Sequence, residues 1–168
     1  LTIFEEFGTL KGLNVTYIGD GNNVAVSLMH VCAKLGANFT IANPEDYDIL
    51  PSAVEIARKF AAESGSTLSF LRDPHEAVKH AHAIYTDTWT SMGQEAESKK
   101  RELVFPPYQV NAALVAEADP KAIVLHCLPA HRGQEITDEV ADGPHSRLFP
   151  QAHNRMHAQK AILVKKLA

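Results

Sequence analysis

The sequence predicts an α/β fold, an open and doubly wound sheet of five parallel strands with helices on both faces. Short apolar segments alternate with segments whose apolar residues recur at helical spacing, and short loops join the two kinds. This alternation is typical of parallel sheets, in which each crossover between strands is a helix. The 168 residues are 45% hydrophobic and 21% charged, which is sufficient for one domain with a buried core.

The elements can be taken in chain order. Strands are predicted at 14–18, 38–42, 67–71, 83–86 and 122–126. Helices are predicted at 1–7, 24–35, 52–63, 74–80, 95–102, 110–116 and from about 151 to 166. We expect the helix over 95–102 to be charged and exposed, and the polar residues 134–141 to form a loop with a short helix. Right-handed crossovers would complete a Rossmann-like arrangement.

Composition and charge exclude several classes of protein. The net charge of -4 argues against nucleic acid or an anionic membrane as a partner. No apolar run approaches the roughly 18 residues of a membrane span. Cys32 and Cys127 lie far apart and form no disulfide framework, so we expect a reducing, cytoplasmic location. The first methionine is Met29, from which we expect either a processed leader or a piece of a longer protein.

The stretch 84–95 is the strongest candidate for a ligand site. It begins as a buried strand, and Asp87 stands where the apolar run stops. Residues 91–93 (Ser-Met-Gly) follow as a loop of small residues, and strand ends of this kind carry ligand sites in open α/β sheets. The alternative is structural, with Asp87 as a turn residue. We expect Trp89 to pack in the core and shape the loop without taking part in the chemistry.

The loop after the first strand predicts a small ligand rather than a dinucleotide. Residues 19–21 (Gly-Asp-Gly) begin a nucleotide-binding fingerprint, but Val24 replaces its third glycine and no acidic residue follows the second strand. Asn22 and Asn23 begin the next helix, where free N–H groups favour a carboxylate. One of the two asparagines could instead simply cap the helix.

Residues 126–133 place two histidines and a cysteine after the last strand. His126 and His131 are five residues apart and only Cys127 is a thiol, so no zinc-ligand spacing is present and we expect no metal. Strand alternation would direct His126 away from Cys127, which argues against a nucleophilic cysteine. Arg155 is predicted to open the last helix, either as a surface side chain or as a planar fork of donors for a carboxylate, phosphate or carbonyl.

Four motifs together resemble a known family. In this family's order, the chain carries Gly19 to Asn23, Asp87-x-Trp89-x-Ser91-Met92-Gly93-Gln94-Glu95, His126-Cys127-Leu128-Pro129 and Asn154-Arg155. The chain thus resembles the second half of ornithine carbamoyltransferase, within the aspartate/ornithine carbamoyltransferase family. The aspartate enzymes differ at the second and third motifs.

The resemblance implies a reaction, in which the side-chain amine of L-ornithine attacks the carbonyl of carbamoyl phosphate to give citrulline and phosphate, with no cofactor. It implies that ornithine is bound by Asn23, Asp87, Ser91 and Met92. It also implies that carbamoyl phosphate is bound by Cys127, Leu128 and Arg155, with Cys127 and Arg155 as the catalytic residues.

The resemblance also implies an incomplete enzyme. The family's phosphate-binding Ser-x-Arg-Thr loop and its His-Pro-x-Gln motif are absent. We therefore expect residues 1–12 to be a linking helix from a missing N-terminal carbamoyl-phosphate domain and residues 13–168 to be the ornithine-binding domain. Alone it should be inactive, and the full enzyme should be a homotrimer. Two alternatives stay open, a carbamoyltransferase for putrescine or another amine, and a non-catalytic small-molecule binding domain.

Overall fold

The structure is a computed structural model that describes residues 1–90 and 95–167. Its strands are β1 (Asn14–Ile18), β2 (Asn38–Ala42), β3 (Leu68–Leu71), β4 (Ala83–Thr86) and β5 (Ile123–His126). Its α-helices are α1 (Thr2–Phe7), α2 (Asn23–Leu35), α3 (Pro51–Ser64), α4 (Pro74–Val78), α5 (Ser98–Val104), α6 (Ala112–Ala116), α7 (Asp138–Ala141) and α8 (Leu148–Leu167). Short 3-10 turns cover Glu95–Glu97 and Pro106–Tyr108.

The five strands form one sheet in the order β3-β2-β1-β4-β5, and every neighbouring pair is parallel. The chain builds outward from β1 to β3, then returns to the other side of β1 for β4 and β5. The order therefore reverses between β1 and β4. In open α/β sheets this switch point is where a crevice forms beyond the carboxyl ends of the strands.

Both faces of the sheet are covered, as expected for parallel strands. One core contains alternate strand residues with apolar residues of α2 and α3, among them Val15, Tyr17, Phe39, Met29 and Ala57. The second core lies on the opposite face with residues of α4, α6 and α7, among them Ile18, Ile84, Val78, Leu114 and Val140. The predicted fold class, an open five-stranded parallel sheet with helices on both faces, is confirmed.

Local signals explain where several helices begin and end. The side chain of Asn22 accepts hydrogen bonds from the first turn of α2, and Gly36 ends that helix with a left-handed φ of 79°. Asp73 caps α4 in the same way, with a proline at the first helical position. No helix in the described part of the chain is both long enough and apolar enough to cross a bilayer.

Three predicted helices were partly wrong. The segment 95–102 is a 3-10 turn followed by α5, and Arg101 in it is buried because it pairs with a distant carboxylate. Helix α6 begins at Ala112, since Val110 is extended and Asn111 is the cap. Helix α8 begins at Leu148, because a proline is tolerated in the first turn of a helix.

Candidate functional site

The carboxyl ends of β1, β4 and β5 lie side by side at the switch point. Ile18 is in register with Thr86, and Thr86 with His126. The Thr86 hydroxyl donates to the carbonyl of Ile18 at 2.8 Å, which ties the two strand ends together. The loops that follow these three ends therefore begin at one edge of the sheet, as the sequence predicted.

Asp87 is the centre of this edge. The residue is 8% exposed, and its carboxylate accepts three hydrogen bonds from the described part of the chain. The Oδ1 atom accepts from the Thr88 amide at 2.8 Å and from the Cys127 Sγ at 2.8 Å. The Oδ2 atom accepts from Asn22 Nδ2 at 3.0 Å. The carboxylate is thus fixed by the loops after all three strands, with its charge next to the N-terminus of α2.

The two asparagines after β1 have different positions. Asn22 is the cap of α2, because its Oδ1 accepts from the amides of Val24 at 2.9 Å and Ala25 at 3.1 Å. Its amide group is thereby aimed at Asp87. Asn23 is exposed at the first position of α2. The sequence left open which asparagine is the cap, and the structure identifies Asn22 as the cap, whereas the ligand role of Asn23 stays a prediction.

The loop before these asparagines makes a close backbone approach at Gly21. Its amide donates to the carbonyl of Tyr47 at 2.9 Å. A Cβ atom at Gly21 would lie only 2.4 Å from the amide nitrogen of Ile49. Only glycine fits between these two backbone segments, so this glycine has a packing role, separate from any nucleotide fingerprint.

The thiol of Cys127 is held in its neutral form. Burial raises the pKa of Cys127 well above its usual value, and the hydrogen bond to Asp87 raises it further. A thiol that donates to a carboxylate is a poor nucleophile at neutral pH, because the thiolate is the reactive species. This environment agrees with a non-covalent role for Cys127, which stays a prediction.

We expect Cys127 to react slowly with iodoacetamide. In a Cys32→Ser background at pH 8, its alkylation rate should be at least about tenfold below that of a free cysteine, because its thiolate is scarce. Asp87→Asn should raise the rate, since it removes the charge that disfavours the thiolate. Mass spectrometry of alkylated protein over time measures both rates. Alkylation of Cys127 as fast as that of a free cysteine would contradict the raised pKa.

His126 and Glu135 form a fully buried pair next to Cys127. The His126 Nδ1 accepts from the Leu128 amide at 2.8 Å, so Nε2 carries the proton and donates to Glu135 Oε1 at 3.0 Å. Glu135 also accepts from the His131 amide at 2.6 Å. The sequence indicated only a polar loop at 134–141, and periodicity gave no signal for a buried carboxylate there.

The side chains of His126 and Cys127 turn to different partners, since the His126 ring bonds Glu135 and the Cys127 thiol bonds Asp87, in agreement with the prediction that they point in opposite directions. Cys127 lies beyond the last residue of β5, where strand alternation ends, and Leu128 has a left-handed φ of 56°. One atom able to ligate a metal from each of Asp87, His126 and Cys127 nevertheless lies within 4.8 Å of the other two. Both ring nitrogens of His126 already have hydrogen-bond partners, however, and a structural zinc site takes four ligands. The absence of a metal stays a prediction.

Arg155 lies in the second turn of α8 and does not open the helix as predicted. Its side chain is exposed, and no hydrogen bond or ion pair joins it to another residue of 1–90 or 95–167. One turn earlier, Gln151 contacts the ends of two strands. The sequence gave no signal for Gln151, whose partners lie 25 and 66 residues away.

The segment after Asp87 is anchored by a buried ion pair. Arg101 donates to Asp20 Oδ2 at 2.5 Å and to the Trp89 carbonyl at 2.8 Å. Trp89 is buried and stacks on Phe105 with ring centroids 6.0 Å apart, as predicted for a packing residue. Two predicted ornithine-binding residues, Ser91 and Met92, lie outside the described residues, and their role stays a prediction.

The fold and these side chains define a class of domain. It is a doubly wound α/β domain with carboxylate, amide and thiol groups at its switch point, the position at which such sheets bind small polar ligands. The family model described as "Aspartate/ornithine carbamoyltransferase, Asp/Orn binding domain" matches residues 11–165. The chain therefore belongs to the aspartate/ornithine carbamoyltransferase family, as the four motifs predicted.

Comparison with individual proteins gives the same result. The ornithine carbamoyltransferase of Bacillus subtilis is 58% identical over 163 residues, which are 97% of this chain and 51% of that protein. The solved ornithine carbamoyltransferase of Pyrococcus furiosus is 54% identical with a TM-score of 0.92, over 96% of this chain and 52% of that one. The structure from Gloeobacter violaceus has a TM-score of 0.89 at 51% identity, over 96% of this chain and 54% of that one. The chain spans about half the length of the curated relatives that it matches.

Proposed function

We propose that this chain is the ornithine-binding part of an ornithine carbamoyltransferase. One observation carries the proposal, a buried carboxylate, Asp87, fixed at the switch point beside the N-terminus of α2. An α-amino acid carries an ammonium and a carboxylate on adjacent atoms. Asp87 offers the negative charge for the first, and the helix start offers the side-chain amide of Asn23 and a positive dipole end for the second.

The carbamoyl group would be transferred at the edge of this pocket. The neutral side-chain amine of ornithine attacks the carbonyl carbon, a C–N bond forms, the C–O bond to phosphate breaks, and the amine loses a proton. Cys127 and Leu128 would contact the carbamoyl group. Their loop is held by the hydrogen bond from the Cys127 thiol to Asp87 and by the Leu128 amide, which donates to His126 of the buried His126–Glu135 pair. Arg155 would bind carbamoyl phosphate and stabilise the charge that develops on the carbonyl oxygen.

The proposed enzyme needs further chain for its second substrate. We propose that residues 1–12 link to an N-terminal carbamoyl-phosphate domain and that residues 13–168 form the ornithine domain. The chain's 51% coverage of its Bacillus subtilis relative supports this proposal. The complete enzyme would be a cytoplasmic homotrimer acting in arginine metabolism.

A putrescine carbamoyltransferase is the nearest alternative. Putrescine has two amines and no carboxylate, so it would leave the helix start at Asn23 unused. The exposed side-chain amide of Asn23 at the N-terminus of α2 favours ornithine for this reason. A non-catalytic binding domain is the other alternative, and it would bind ornithine without transferring a carbamoyl group.

Citrulline formation tests the proposal. The full-length enzyme should carbamoylate ornithine at least about a hundredfold more efficiently than putrescine, because an unused carboxylate site leaves donors unpaired. The 168-residue chain alone should give no citrulline until the N-terminal half is supplied. Equal efficiency with putrescine would reject the ornithine assignment. Turnover by the chain alone would reject the proposal that the active site needs the N-terminal half.

A further inference from the structure

Within this chain, helix α8 buries few of its side chains against the domain. Only Leu148 and Asn154 are buried among its described residues, and the side chains of residues 155–167 are all exposed. A surface helix normally takes its rotation about its own axis from a buried apolar stripe. Within the described part of this chain, polar contacts supply much of that constraint.

Gln151 supplies two of these contacts at the carboxyl edge of the sheet. Its Oε1 accepts from the backbone amide of His126 at 3.0 Å, and its Nε2 donates to the hydroxyl of Tyr85 at 2.8 Å. One side chain therefore ties α8 to the ends of both β4 and β5. On the side of α8 that faces α1, Asn154 donates to the hydroxyl of Thr2 at 3.0 Å.

The path of the chain places the next turn of α8 beyond the strand ends. Residues 145–147 run parallel to β5, with the Val124 amide donating to His145 and the Arg147 amide donating to Val124, each at 2.8 Å. The chain then reaches the level of His126 at Gln151. Arg155 is four residues later, on the same side of the helix and about 6 Å farther along its axis.

We infer that Gln151 is a positioning residue that sets the direction of Arg155 through the rotation of α8. This inference rests on the proposed function, in which the guanidinium of Arg155 binds carbamoyl phosphate. In this inference Gln151 acts on the substrate only through Arg155. Its two hydrogen bonds hold the first turn of the helix against the strand ends, and the next turn carries the arginine.

The partners of Gln151 allow a discriminating pair of substitutions. Both the His126 amide and the Tyr85 hydroxyl can donate a proton, and burial raises the pKa of Tyr85, which keeps that hydroxyl protonated. The carboxylate of Gln151→Glu can therefore accept from both groups and keep both hydrogen bonds. Gln151→Leu has a similar size and keeps neither bond.

The test is the affinity of the full-length enzyme for carbamoyl phosphate, measured by titration calorimetry. Gln151→Leu should weaken binding about tenfold, as expected for two hydrogen bonds, and Gln151→Glu should stay within about threefold of the wild type. In an Arg155→Gln background, Gln151→Leu should change the affinity by less than about twofold. Gln159→Leu makes the same change two turns farther along α8 and should have no effect.

The outcomes separate the two proposals. Failure of the wild-type enzyme to bind carbamoyl phosphate or to form citrulline would reject the proposed function. Normal binding by Gln151→Leu in an active enzyme would reject only the positioning role, as would equal weakening with and without Arg155. If thermal unfolding shows that Gln151→Leu is not folded, Tyr85→Phe is used in its place, because it removes only one of the two hydrogen bonds of Gln151. It should weaken binding about threefold only while Arg155 is present, and an unchanged affinity would reject the positioning role.

Discussion

Replacing Asp87 by asparagine in the full-length enzyme should weaken ornithine binding by about a hundredfold, which corresponds to about 2.7 kcal/mol. The carboxylate is buried and already aligned by Asn22, Thr88 and Cys127, so the charge-assisted bond to an α-ammonium carries little further ordering cost. Asparagine keeps the shape and one acceptor but loses the charge. The affinity for carbamoyl phosphate should change by less than about threefold, because that substrate contacts other groups in the proposed site.

Steady-state kinetics with each substrate varied in turn measures this difference. Glu63→Gln is the matched control, since it neutralises an exposed carboxylate near the end of α3, at the opposite edge of the sheet. It should leave both KM values unchanged. An unchanged ornithine KM in Asp87→Asn would show that the α-ammonium binds elsewhere.

The sequence predicted the parts of the site that depend on local chain order. Each strand is a short apolar run, and Asp87 and Cys127 follow such runs directly. Parallel strands bring their carboxyl ends to one edge, so residues placed just after them converge without any knowledge of side-chain contacts. The cap at Asn22 is also a local signal, because its partners are two and three residues away.

The contacts that fix the site depend on long-range packing, and no periodicity encodes them. The sequence predicts Arg101 on a charged, exposed helix, whereas the residue is buried against Asp20, which is 81 residues away. The sequence predicts Glu135 in a polar segment, although its side chain is fully buried against His126. A charged residue in a polar stretch looks the same whether solvent or a buried partner surrounds it, so these roles required the three-dimensional structure.

The buried pair of Arg101 and Asp20 should have the largest effect on stability. Arg101→Met leaves the Asp20 carboxylate buried without its partner, and we expect the free energy of unfolding to fall by about 3–5 kcal/mol. The Arg101 side chain also packs over the ring of Tyr47 at 4.8 Å and holds the Trp89 carbonyl, so the loss extends to the segment after Asp87. Urea unfolding followed by circular dichroism gives the free energy.

The chain contains a matched pair for comparison. Arg72 and Asp48 form an ion pair of similar length, 2.6 Å, but their side chains are 52% and 56% exposed, whereas those of Arg101 and Asp20 are 5% and 10% exposed. Arg72→Met should cost less than about 1 kcal/mol, because water screens the exposed pair and solvates the remaining carboxylate. Burial raises the pKa of Asp20, and the guanidinium of Arg101 opposes part of that rise. Without Arg101 the buried carboxylate has no partner. Asp20→Asn in the Arg101→Met background should therefore restore stability, because it removes the unpaired charge. An equal loss in the free energy of unfolding for Arg101→Met and Arg72→Met would mean that solvent reaches Asp20. The Arg101–Asp20 pair would then not anchor the backbone at Trp89.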